Sequence, residues 1–140
     1  MNKLTNTNKL IAVNAPYNRT EEYPLGDLTL WRIGNNLVEV VVNEGVDANG
    51  KHVQQMFKCC HGIDPLPRGL MINRENDYSV DISALWQARK NNPFKYVAMV
   101  NNGRKNQYFS DSLWPKFLKL GIFNDRQKAI DWLNNKLKKS

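Results

Sequence analysis

A two-strand hairpin followed by strands and helices in strict alternation constrains this chain more than any other feature. The segment DLTLWRI-GNN-LVEVVV, residues 27–42, holds two apolar, β-branched runs on either side of Gly34-Asn35-Asn36. Glycine and asparagine tolerate the positive φ that tight hairpins demand, so the loop predicts an antiparallel pair. After it come a helical stretch from Asp47, the apolar run 68–73, a helical stretch from Asp81 and the apolar run 96–100. A broken aromatic stretch to residue 120, a short strand at 121–123 and a closing helix over 123–139 complete the order. Such alternation makes strands parallel and sends helices across between them. The predicted fold is α/β: a mixed, mostly parallel sheet of four or five strands with an N-terminal antiparallel hairpin and crossover helices.

The periodicities set the expected core. In the hairpin Val38, Val40 and Val42 share one face, while Leu37, Glu39 and Val41 share the other. The charge of Glu39 predicts that only the valine face is fully covered. Asp47 is the expected cap of the first helix, which turns Val53, Met56, Phe57, Cys60 and Ile63 inward and ends at Gly62 and Pro65. Asp81 caps the second, with Ile82, Leu85 and Trp86 as its buried set and Pro93 as its stop. Pro115 should break the aromatic stretch 103–120. In the last helix Asn124 with Gln127 suggests a capping box, and Ile130, Leu133 and Leu137 form the buried stripe.

With 140 residues the chain suits one domain. Residues 1–24, rich in Asn and Thr and carrying Pro16 and Pro24, are expected to be a partly disordered arm, with residues 10–13 adding an edge strand and Tyr17 and Tyr23 as anchors. Residues 25–140 form the expected domain. No apolar run approaches the ~18 residues of a spanning helix. The segment 10–13 is shorter than the ~7–15 residues of a signal-peptide core, which points to the cytoplasm. Cys59, Cys60 and His61 are consecutive on a helix and point about 100° apart, so they cannot converge on one ion without other ligands, and no metal or cofactor is expected.

The net charge of +7 is unevenly placed. Residues 91–140 hold ten Lys and Arg against three Asp, while residues 1–90 are balanced. A basic C-terminal third suits a solvated face or an acidic partner. No Gly-x-Ser-x-Gly elbow, phosphate-binding Gly-rich loop or His-Glu-x-x-His occurs, so no catalytic residue is assigned. Sites in parallel sheets lie at the carboxyl ends of strands, which directs attention to the loop holding Arg74, Glu75, Asp77 and Asp81.

The order of elements, with the closing run Ile122-Phe123-Asn124-Asp125-Arg126-Gln127-Lys128-Ala129-Ile130-Asp131-Trp132-Leu133, resembles the SpoIIAA-like proteins. That group comprises the STAS domains of anti-sigma factor antagonists and small STAS/SEC14-like bacterial proteins. The resemblance covers residues 25–138 as a pattern of elements. It implies a non-enzymatic regulatory module that binds a protein partner. STAS antagonists carry an Asp-Ser-Ser-Gly stretch at the helix after the central strand, and its second serine is phosphorylated. Here that place holds Asp81-Ile82-Ser83-Ala84, in which Asp81 and Ser83 match and Ile82 and Ala84 do not. The resemblance implies Ser83, Asp81 and Ser79 as a phosphorylation or partner site. The alternative function is binding of an anionic lipid surface by an aromatic cleft and basic C-terminal helices, with Arg104, Lys105, Lys116 and Lys119 as contacts. Nucleic acid is not an expected partner, because no recognition motif accompanies the charge.

Overall fold

The computed structural model describes residues 15–102 and 120–139. After a 3-10 turn at Ala15–Tyr17 the chain enters a sheet through β1 (Arg19–Pro24). β1 pairs antiparallel with β2 (Leu28–Ile33), and β2 pairs antiparallel with β3 (Leu37–Val42). Gly34 takes φ +61° in the β2–β3 loop, the left-handed conformation that the hairpin requires. The chain continues through β4 (Asp47–Ala48), α1 (Gly50–His61), β5 (Gly69–Asn73), β6 (Ser79–Val80), α2 (Ile82–Asn91), β7 (Tyr96–Val100), β8 (Leu120–Phe123) and α3 (Arg126–Lys138).

The main sheet has the order β1-β2-β3-β5-β7-β8, antiparallel through β3 and parallel from there on. Among the described residues it therefore has six strands, not four or five, because residues 19–24 pair with the hairpin. β4 and β6 form a separate two-stranded parallel ribbon. The expected edge strand at 10–13 lies outside the described residues, as do the aromatic stretch 103–119 and the break at Pro115.

Strand alternation sends side chains to two covered faces. On one face Leu30, Val38, Val40, Leu70, Ile72, Val97 and Met99 pack with Val53, Met56, Phe57 and Cys60 of α1 and with Ala84, Leu85 and Ala88 of α2. On the other, Ile33, Leu37, Met71, Ala98 and Val100 pack with Ala129, Ile130, Leu133 and Leu137 of α3. The face carrying Glu39 is thus covered, contrary to expectation, and all six residues of β3 are buried. Tyr23 packs against the first core and Tyr17 against the second, so both anchor the entry segment.

Three local expectations are corrected. Asn49, not Asp47, caps α1: its side chain accepts from Lys51 N–H, and the His52 ring accepts from Asn49 N–H. Asp47 is held upstream in β4, where its carboxylate accepts from the Ser79 hydroxyl. Asp125, not Asn124, caps α3. In α2, capped by Asp81 as expected, Ile82 is 49 % and Trp86 55 % exposed. The small residues Ala84 and Ala88 let α2 approach with that side, which turns the Ile82–Trp86 side outward.

Candidate functional site

Two constellations stand out, one on each side of the sheet. The first is the shoulder where the N-termini of α1 and α2 meet. Ser83, in the first turn of α2, donates its hydroxyl hydrogen to the Asp81 carboxylate at 2.5 Å and accepts from Gly50 N–H of α1 at 3.0 Å. A Cβ on Gly50 would stand 3.3 Å from the Ser83 carbonyl, so a side chain there would crowd the junction. The bonds from Ser83 hold the Asp81 carboxyl below the usual carboxylate range. Ser79 ties the same loop to β4 through Asp47. Ile82, Trp86 and Arg89 follow at i, i+4 and i+7 as one exposed ridge, and the Arg89 guanidinium lies 6.0 Å from the Trp86 ring centre. A shallow depression of about 720 Å³ runs along this ridge past Ser83, Gln87 and Lys90.

The second constellation centres on Glu39, whose side chain is fully buried in mid-strand β3. Arg19 of β1 donates Nε–H and Nη2–H to its two oxygens at 2.9 and 3.0 Å. Arg126, the first residue of α3, donates Nη2–H at 2.9 Å and Nε–H at 3.2 Å. The Asn73 amide, at the end of β5, adds a bond of 2.7 Å, and Asn102 in turn donates to the Asn73 side-chain oxygen at 2.7 Å. Asn102 holds φ +54°, a left-handed conformation that asparagine tolerates better than most residues. Burial alone would raise the Glu39 carboxyl, but the bonds from Arg19, Arg126 and Asn73 outweigh it and bring it down to about 2. Above this floor opens a crevice of about 450 Å³.

Among the described residues, His52 is engaged and Cys60 is shielded. The Nδ1 of His52 accepts from the Asn49 N–H, which leaves the ring proton on Nε2, 2.9 Å from Asp27 Oδ2. With both nitrogens taken, His52 is not poised as a general base. Burial, with Cys59 adding to it, pushes the Cys60 thiol up to about 12, so it stays protonated and a weak nucleophile at neutral pH. Among the described residues no three His, Cys, Asp or Glu side chains are grouped to hold a metal ion. No helix among them is long and apolar enough to cross a membrane.

The structure brings Asp81 and Ser83 into direct contact and leaves Ser79 on the adjoining ribbon, bonded to Asp47 instead. Arg104, Lys105, Lys116 and Lys119 lie outside the described residues. Sequence reasoning did not find the Glu39 cluster. Its one local signal was a charge in an otherwise apolar strand, which also suits an uncovered face. Comparison with known proteins finds no matching family model, no matching curated protein and no matching solved structure.

Proposed function

We propose that the chain is a non-enzymatic regulatory module, SpoIIAA-like in fold and STAS-like in use, that binds a protein partner across the first turns of α2 in the cytoplasm. The observation that carries this reading is the exposed ridge of Ile82, Trp86 and Arg89 directly beside Asp81 and Ser83. Large apolar side chains about half exposed on a capped helix are what a partner buries, and Trp and Arg are the residue types that dominate binding energy. Arg89 and Lys90 favour a partner segment that combines acidic and apolar groups. Ser83 supports regulation at the same place. A phosphate on its oxygen would add about two negative charges at the first turn of α2, where backbone dipoles favour them. The Asp81 carboxylate that Ser83 now donates to opposes them, so the bond between Ser83 and Asp81 would open. The same charges would repel an acidic partner segment.

A second reading, contact with an anionic lipid surface, draws on the exposed Trp86 with Arg89 and Lys90 of α2. Affinity capture from the host separates the readings. Wild type and Ser83→Ala should retain the same protein, whereas Ser83→Asp and Trp86→Ser should lose it. Flotation with anionic vesicles should leave all four behind. Equal capture by all four proteins removes the partner reading, and flotation that Trp86→Ser abolishes replaces it with the lipid one. Ser83→Ala should cost less than about 1 kcal/mol of stability, because the orphaned Gly50 N–H is solvated.

A further inference from the structure

The crevice above Glu39 lies on the α3 side of the sheet, away from the α2 shoulder, and its composition exceeds what a structural ion pair needs. One guanidinium neutralises one carboxylate, yet Glu39 receives two together with the Asn73 amide. Glu39 therefore balances one of the two positive charges, and the other is met at the rim by the half-exposed Glu75 carboxylate. Glu39 engages Nε and Nη2 of both Arg19 and Arg126, and the Nη1 groups take no part in these bonds. Both arginines line the crevice and keep 33 % and 26 % of their side chains exposed. They are held in place before any ligand arrives. The Trp31 ring lies 3.9 Å beneath the Arg19 guanidinium, and Arg126 is fixed at the start of α3. Guanidiniums so fixed lose little side-chain entropy on binding, and their forks match the geometry of an oxyanion.

The position agrees with this chemistry. The crevice opens at the carboxyl ends of β5 and β7, where Asn73 and the left-handed Asn102 stand, the usual place for ligands of parallel sheets. Its volume suits a small molecule. Glu75 stands at the rim, half exposed, with a carboxylate oxygen 3.7 Å from Arg19 Nη2. It supplies an internal oxyanion that a better one displaces.

We propose that Arg19, Arg126 and Asn102 form a binding site for a small ligand bearing a carboxylate or phosphate group, with Glu39 as the buried residue that positions the two arginines. The test is an NMR titration of the whole chain with sodium phosphate and, separately, sodium acetate, at ionic strength held constant with sodium chloride. Saturable shifts of the Arg19 and Arg126 Nε–H and the Asn102 side-chain amide are expected. Tighter binding of phosphate would indicate a phosphoryl ligand, and tighter binding of acetate a carboxylate. Glu75→Gln removes the competing carboxylate and should tighten binding about threefold. Asn102→Asp keeps a residue type that tolerates the left-handed backbone but sets a negative charge on the rim, and should weaken binding about tenfold. Shifts that do not saturate, that fall on the α3 lysines instead, or that are the same in Glu75→Gln as in wild type would overturn the proposal. Glu75 is exposed, so that variant decides even if Asn102→Asp does not fold.

Discussion

At Glu39 the chain places a carboxylate where no water reaches it and surrounds it with donors from three other elements. Removing a carboxylate from water is costly, and the arrangement is stable only because Arg19, Arg126 and Asn73 meet its oxygens at hydrogen-bond distance. Its folded pKa, about 2, lies below the 4.5 of the free group. A depressed pKa means the unfolded chain binds the proton more readily, so Glu39 contributes stability fully above pH 4.5. That contribution, about 3 kcal/mol, is lost as the pH falls from 4.5 toward 2. Glu39→Gln should cost roughly 3 kcal/mol or more at pH 7, since it strands two partly buried guanidiniums. Urea denaturation of both proteins at pH 7 and at pH 2 checks this. The gap between them should be wide at pH 7 and narrow at pH 2, and an equal gap at both would show that the charge of Glu39 is immaterial.

At the scale of elements, caps and faces decide how the shoulder at Ser83 is built. The Asn49 cap of α1 precedes Gly50, whose N–H reaches Ser83, so the start of α1 also positions the start of α2. Asn49→Ala should cost about 1 kcal/mol through the lost cap. Differential scanning calorimetry should show a Tm lower by roughly 3–5 °C for a domain of this size. An unchanged Tm would mean that water replaces the cap without loss. The hairpin, the β5–β7 adjacency and the buried stripes of α1 and α3 were legible in the sequence, because each follows from apolar period and turn residues within a short window. The caps at Asn49 and Asp125 were misplaced by one or two residues, since cap-forming side chains stand close together in Asp47-Ala48-Asn49 and Asn124-Asp125 and local preference cannot choose between them. The inward face of α2 was misread because Ile82 and Trp86 are its more hydrophobic residues, whereas close helix packing selected Ala84 and Ala88. The Glu39 cluster was illegible for another reason: its arginines come from 20 and 87 residues away, and no local pattern joins them.

For the molecule as a whole, the sheet is a wall shared by two cores, and the cluster at Glu39 ties β1, β3, β5 and α3 across it. β3, β5 and β7 have neighbours on both edges and helices on both faces. Their amides should exchange with solvent only when the entire domain unfolds, as expected for the most stable unit of a small domain. Among the described residues β1 has one neighbour, and its side chains are mostly exposed, so its amides should open by local fraying. Native-state hydrogen exchange should therefore give Val40, Met71 and Ala98 the same opening free energy, within about 1 kcal/mol of global stability. The residues of β1 should lie well below that value. Because Glu39 joins elements rather than decorating one, Glu39→Gln should lower protection equally on β3, β5 and β7, by the amount it costs in urea denaturation. A loss confined to β1 and α3, with β7 and the α1–α2 side unchanged, would show instead that the two cores unfold as separate units and that Glu39 holds only the outer one.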